Sequence, residues 1–284
     1  MKEWRLIRSG PLPGALNMAL DEALLEAVGS GRSMPVLRLY RWRPAAVTLG
    51  YAQPAAEIDF TACRELGLDV VRRPTGGRAV LHDREATYAV IAPESSFPVD
   101  VLESYRVIAL ALRRALLSLG IPAELAPGRQ RPAAAKGDGI CFLAPSSWEL
   151  VCRGCKVAGS SQKRTHGAFL QHGSLPVEMD LARLSRILAP DSRRGGSIGT
   201  ERLAQSIGWL NRWRTRPVAV ETVEEALVAA FAGEWNLEFQ ADQPTAGEWA
   251  RAQDLAARKY ANPAWLMDPA LASGHQVISP APVS

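Results

Sequence analysis

A glycine pair set between runs of β-forming residues constrains this chain more than any other feature. Leu68 to Arg73 reads as a strand, and Pro74-Thr75-Gly76-Gly77-Arg78 ends it. Ala79-Val80-Leu81-His82 and Ala86 to Ile91 follow as two further strands. Paired glycines after a strand permit positive φ and let a ligand approach the backbone closely. Amides exposed there can hold a carbonyl or phosphate oxygen, with Arg73 and Arg78 adding charge. The same residues also suit a plain β-turn flanked by solvated arginines. His82, taken alone, suits an ordinary half-buried histidine.

Around this run, strand and helix patterns alternate. Trp4 to Arg8 alternates as a short strand, and Leu16 to Ala27 carries the period of an amphipathic helix stopped by Gly29 and Gly31. Val36 to Trp42 and Ala46 to Gly50 read as strands, Ile58 to Leu66 as a helix, and Val101 to Leu119 as a long helix closed by Gly120. Residues 126–139 are rich in Pro, Gly and Ala without apolar periodicity, the mark of a long functional loop. Trp148 to Cys152 and Lys156 to Ser161 pair as a hairpin around Arg153-Gly154, and Ala168 to Leu175 adds a strand. Helical patterns then cover 181–189, 200–207, 222–235 and 246–259.

Mixed strands and helices followed by helices alone predict an α+β fold on mainly antiparallel or mixed sheets. The expected organisation is a catalytic domain over 1–215, a small helical C-terminal extension over 216–270 packed on it, and a flexible tail over 271–284. The 284 residues suffice for one large domain with a small appendage. With 47% hydrophobic and 22% charged residues, the composition excludes a disordered or fibrous chain. A net charge of +4 from scattered basic residues gives nucleic-acid binding no support. No run of about 18 apolar residues and no signal-peptide core occurs, so the expectation is a cytoplasmic protein with no membrane association. Four cysteines in a chain this long are expected as reduced thiols rather than a disulfide scaffold.

Two residues stand out as chemical candidates. Cys141 follows the long loop and precedes Pro145-Ser146-Ser147, a setting where substrate can reach a thiol. Thiolates are strong nucleophiles and exchange acyl groups with little change in energy. Such a thiol needs a depressed pKa, and a nearby lysine is its simplest source. Lys156 is the candidate, with small residues Ala158, Gly159 and Ser160 after it leaving room for a ligand. A small core cysteine and a surface lysine are the bland alternatives. Cys152 and Cys155 form a Cys-x-x-Cys, but with no second pair at ligand spacing no metal site is expected. His172 is given a structural role ahead of a catalytic one. Trp209, Trp213, Trp235, Trp249 and Trp265 read as packing residues of the C-terminal part.

Taken together, the motifs show a resemblance. Arg72-Arg73-Pro74-Thr75-Gly76-Gly77-Arg78-Ala79-Val80-Leu81-His82 resembles the signature loop of the lipoate–protein ligase and octanoyltransferase superfamily, which shares its fold with biotin protein ligases. Asn17 to Ala23 is similar to the first helix of that family, and Lys156-Val157-Ala158-Gly159-Ser160 to its lysine hairpin. Leu170 to Leu175 resembles the strand after that hairpin, and Lys259-Tyr260 with Trp265 the C-terminal segment. Cys141-Phe142-x-Ala144-Pro145-Ser146 looks like the loop of the cysteine-dependent octanoyltransferases. Two departures occur: Ser147-Trp148 replaces an aromatic pair, and Cys155 stands where the family has another residue.

The resemblance implies transfer of octanoyl from acyl carrier protein to a lysine of a lipoyl-domain protein, such as the glycine cleavage H protein. Cys141 would carry the thioester and Lys156 would lower its pKa. Arg73, Thr75, Gly76, Gly77, Ala79, His82, Gly159 and Ser160 would bind substrate. It also implies a monomer with no metal or diffusible cofactor, because the acyl group arrives on its carrier. A transferase between two lipoyl carriers and an ATP-dependent lipoate ligase are the alternatives.

Overall fold

The computed structural model of the protein describes residues 2–126, 148–165, 167–188 and 198–272. Strand β1 (Lys2–Leu12) leads into helix α1 (Gly14–Gly29), then strands β2 (Val36–Trp42) and β3 (Ala46–Leu49). Helix α2 (Phe60–Glu65) precedes β4 (Asp69–Arg72), β5 (Val80–His82) and β6 (Glu85–Pro93). The long helix α3 (Val101–Ser118) and β7 (Glu124–Leu125) follow, then β8 (Leu150–Cys152), β9 (Cys155–Lys156), β10 (Gly159–Thr165) and β11 (Ala168–Pro176). The chain continues through α4 (Leu181–Arg186), α5 (Thr200–Ser206), α6 (Val220–Trp235), β12 (Leu237–Asp242), α7 (Ala246–Leu255), α8 (Pro263–Met267) and α9 (Pro269–Ala272).

Six strands form the main sheet in the order β10-β11-β6-β2-β1-β12. Its β10-β11-β6-β2 half is antiparallel, while β2-β1 and β1-β12 are parallel. A second sheet, β4-β3-β5, is also mixed, and a third, β7-β8-β9, is antiparallel. Central strands β6 and β11 are buried along almost their whole length, so they read as continuous runs rather than alternation. One face of the main sheet packs on α3 and α6 through Tyr88, Val90, Leu112, Leu116, Leu227 and Phe231. The other face packs on α1 and the C-terminal segment through Leu24, Tyr40, Ile91, Leu170, Tyr260 and Trp265.

Three expectations need correction. The segment 216–270 is not purely helical: β12 extends the main sheet beside β1, with Leu237 opposite Lys2 and Phe239 opposite Trp4. Its short alternation sits directly behind a helix, where it reads as the helix's continuation. The hairpin turns at Arg153-Gly154 as expected, but its second strand is only Cys155–Lys156 and does not run on to Ser161. Both turn residues have positive φ, 49° and 77°, as a type I′ turn requires. Its second strand ends at Lys156, and after Val157-Ala158 the chain enters the main sheet as β10. Helix α1 is buried on most of its circumference, with Asn17 and Asp21 wholly inside. A one-sided amphipathic helix would leave those two in water.

Candidate active site

A cleft opens between the main and second sheets, with Arg73 at the start of the glycine turn among its lining residues. After β4 the chain reverses through Thr75-Gly76-Gly77, with Gly77 at φ 93°. Tyr51 donates its amide to the Thr75 carbonyl (2.8 Å) and Arg73 donates its amide to that of Leu49 (3.0 Å). The Arg73 guanidinium is buried and turned inward. It donates to the Gly76 carbonyl (2.6 Å), the Arg78 carbonyl (2.8 Å) and the Thr48 hydroxyl (3.1 Å). Arg78 instead pairs with Glu57 at 3.0 Å. Of the two arginines expected to add charge, Arg73 therefore organises the loop, and Arg78 has its charge countered.

The cleft is lined by Met18, Tyr40, Trp42 and Val80 on its apolar side, with Arg73, His82, Ser160 and His172 as polar groups. Arg73, His82, Gly159 and Ser160 come together here as expected from the sequence. Thr75 lies buried behind the wall, and Gly76 is exposed, its carbonyl also accepting from Ser161 (2.9 Å). Ala79 is buried in the core of the second sheet rather than lining the cleft. Cys141 lies outside the described residues.

Lys156 does not line this cleft. It sits on β9, almost without solvent access, with Nζ 2.5 Å from Glu149 Oε1. Three residues further on, Gly159 begins the strand that forms the cleft wall. Lysine was expected from the sequence; its carboxylate partner seven residues earlier was not.

Both cleft histidines are held by a hydroxyl on one ring nitrogen and a carboxylate on the other. His82 Nε2 meets Thr48 Oγ1 at 2.9 Å and Nδ1 meets Glu85 Oε1 at 2.7 Å. Trp42 stacks on the His82 ring at 4.1 Å. Glu85 also accepts from Thr87 and Ser174, each at 2.5 Å. His172 Nε2 meets Thr75 Oγ1 at 2.7 Å and Nδ1 meets Asp21 Oδ2 at 2.9 Å. Asp21 accepts in turn from Arg38 (2.6 Å) and the Tyr40 hydroxyl (3.0 Å). Burial alone would raise the Asp21 carboxyl, but Arg38 and His172 outweigh it and hold it below the usual range. Burial pulls the His172 imidazole below its ordinary value, with Asp21 opposing in part. Behind Ser160, burial pushes the Tyr88 phenol up to about 12. The sequence reading passed over Asp21, Glu85 and Glu149. The one local signal was Asn17 and Asp21, polar residues four apart on a helix face surrounded by apolar neighbours.

Residues 13–232 match the family model described as the lipoyl protein ligase A/B catalytic domain. The chain belongs to this family. It is 42% identical over 269 residues to an octanoyltransferase LipM from Kyrpidia tusciae, covering 92% of this chain and 98% of that one. An octanoyltransferase LipM from Brevibacillus brevis is 38% identical over 272 residues, with 93% and 99% covered. Among solved structures, a bipartite lipoate protein ligase from Thermoplasma acidophilum, studied with its E2 lipoyl domain, superposes with a TM-score of 0.77. It is 25% identical, with 94% of this chain and 97% of that one covered. Near full-length identity at this level to octanoyltransferases makes the protein an acyltransferase of lipoate biosynthesis. Among the described residues no helix is long and apolar enough to cross a membrane.

Proposed function

We propose that the enzyme moves octanoyl from acyl carrier protein to a lysine of a lipoyl-domain protein, such as the glycine cleavage H protein, through a thioester on Cys141. The observation that carries this reading is the cleft itself. Its apolar wall of Met18, Tyr40, Trp42 and Val80 suits an alkyl chain, and its polar end gathers Arg73, His82, Ser160 and His172. The strand that closes it starts three residues after the buried Lys156. The octanoyl thioester is attacked by the Cys141 thiolate, favoured by the Lys156 ammonium. The tetrahedral oxyanion is steadied by amides of the Gly76-Gly77 turn or of the strand around Lys156. About six methylenes at roughly 0.8 kcal/mol each give about 5 kcal/mol of gross binding, so length selection per carbon is modest. A cytoplasmic setting is part of this reading, supported by the free buried thiols of Cys63, Cys152 and Cys155.

Intact mass spectrometry after incubation with octanoyl-acyl carrier protein tests it. The expected result is one octanoyl adduct on Cys141, absent from Cys141→Ser, that is discharged by an apo lipoyl domain without ATP. Full transfer by Cys141→Ala defeats the reading. Acylation only by an acylated H protein would replace the donor, and ATP-dependent use of free lipoate would make the enzyme a ligase.

A further inference from the structure

A thioester carbonyl oxygen gains negative charge when sulfur or nitrogen attacks its carbon, and a donor already aimed at that oxygen lowers the barrier. A side chain can act so only if its hydrogen is not already given to the protein. We propose that the Ser160 hydroxyl is this donor in both halves of the reaction, its hydrogen left to the cleft by Tyr88 and Gln171. The proposal rests on the octanoyl-transfer reading above.

The direction of one hydrogen-bond chain carries the assignment. A guanidinium only donates, so Arg164 Nε turns the Gln162 amide oxygen toward itself at 3.1 Å. Gln162 Nε2 then donates to Gln171 Oε1 at 3.1 Å, and Gln171 Nε2 donates to the Tyr88 hydroxyl at 3.3 Å. Arg164 is itself fixed by the carbonyls of Pro98 and Val99 and the hydroxyl of Ser104. Tyr88 is buried, and burial pushes its phenol up to about 12, so it keeps its hydrogen at neutral pH. That hydrogen goes to Ser160 Oγ at 2.8 Å. Ser160 thus accepts from Tyr88, and its own O–H has no acceptor among the described residues.

The sheet is built to permit this contact. Ser160 on β10 stands opposite Gly173 on β11, which stands opposite Tyr88 on β6. A Cβ on Gly173 would lie 2.5 Å from the Tyr88 ring and 2.8 Å from Ser160 Oγ, so only glycine lets the phenol reach across β11.

The other polar side chains of the cleft give their hydrogens inward. Thr87 and Ser174 donate to Glu85, and Ser161 donates to the Gly76 carbonyl. Glu85 takes the Nδ1–H of His82, so the Thr48 hydroxyl donates to His82 Nε2. His172 is bonded at both ring nitrogens, and Arg73 is turned to the carbonyls of Gly76 and Arg78. Ser160 differs in access as well: it is only partly buried where it lines the cleft, whereas Thr87 and Ser174 are 2% exposed.

Ser160 keeps its proton throughout. As the Cys141 thiolate bonds to the octanoyl carbon, the carbonyl electron pair moves onto oxygen and meets the Ser160 hydrogen. The pair returns as the carrier's C–S bond breaks, and the carrier sulfur leaves as a thiolate that takes up the proton Cys141 released. The acceptor amine repeats the sequence: the C–N bond forms, the Cys141 C–S bond breaks, and one nitrogen proton restores the thiol.

The test compares Ser160→Ala with the unaltered enzyme in single-turnover reactions. At saturating octanoyl-acyl carrier protein, acylation should slow about 10²–10³-fold, and discharge to an apo lipoyl domain by a similar factor. The half-saturating donor concentration should stay within about twofold, the mark of an interaction made only in the transition state. Iodoacetamide reacts with a thiolate at a saturated carbon and forms no oxyanion, so it should label Cys141 equally in both proteins. Ser160→Thr keeps the hydroxyl and should keep most of the rate. Gln171→Leu opens the Tyr88 oxygen to the Ser160 hydrogen and should slow both steps about 3–10-fold, the worth of one neutral hydrogen bond. That variant keeps the test decisive should Ser160→Ala fold poorly. Unaltered acylation in Ser160→Ala or in Gln171→Leu overturns the assignment. So does a change confined to the half-saturating concentration, which would make Ser160 a binding contact, or an equal slowing of iodoacetamide labelling, which would place the effect on the cysteine. An unaltered enzyme that forms no adduct overturns the octanoyl-transfer reading and this assignment with it.

Discussion

Lys156 and Glu149 form a buried ion pair across the third sheet, Nζ to Oε1 at 2.5 Å, with side-chain exposures of 1% and 8%. Removing one member of such a pair takes a charge-assisted contact out of a poorly solvated place. Glu149→Gln should therefore lower stability by about 3–5 kcal/mol, read from urea unfolding. Replacing both by apolar residues, Glu149→Leu with Lys156→Met, should recover most of that loss. The double variant should still fail to form the acyl adduct, which separates the fold's need for the pair from the chemistry's need for the ammonium.

Arg72 ties the glycine turn to the C-terminal segment. Its guanidinium donates to the carbonyls of Gly50, Tyr51 and Gln53 on one side and of Trp265, Leu266 and Met267 on the other. Trp265 returns a bond from Nε1 to the Arg72 carbonyl at 3.0 Å. A lysine ammonium cannot span both sets, so Arg72→Lys should cost about 3 kcal/mol. Trp265→Phe removes one neutral hydrogen bond and should cost about 1 kcal/mol. Thermal unfolding of the two variants checks the ratio.

These ties also mark where sequence reading stops. The Gly76-Gly77 turn, the Arg153-Gly154 hairpin and the helix at Val101 were legible because each is specified within a dozen residues. Arg73, His82, Gly159 and Ser160 were legible as a group through resemblance, and the cleft brings them together. Asp21 was not, because its meaning depends on His172, which lies 151 residues away. Strand β12 was missed for the same reason: its partner β1 opens the chain, and six residues of weak alternation specify no pairing. Ala79 shows the converse error. It belongs to the signature run, yet strand geometry puts it in the core.

Gly50 and Gly77 touch backbone to backbone. A Cβ built on Gly50 would lie 1.9 Å from the Gly77 carbonyl oxygen, and backbone cannot yield as a flexible side chain can. Gly50→Ala should push the Thr75-Gly77 turn out of place, costing about 1–3 kcal/mol. Acyl transfer should fall at least tenfold while far-ultraviolet circular dichroism stays native. Gly247→Ala, where a Cβ meets nothing within 4 Å inside α7, should instead gain up to about 1 kcal/mol.

Acid sensitivity should report on His172. Its folded pKa lies below the ordinary value of about 6.5, so the unfolded chain binds the proton more readily. Stability should then fall as pH drops below about 6.5 and level off only below the folded pKa, with a slope of at most about 1.4 kcal/mol per pH unit for one proton. Asp21, Glu22 and Glu248, also held low, contribute stability that is lost only as pH falls below about 4.5 and through their folded values. Between pH 7 and 5 the two effects are therefore separable. Urea unfolding across that interval should show a declining midpoint for the unaltered enzyme and a flatter one for His172→Gln. A variant whose slope matches the unaltered enzyme would mean that His172 keeps the same proton affinity folded and unfolded, despite its burial between Asp21 and Thr75.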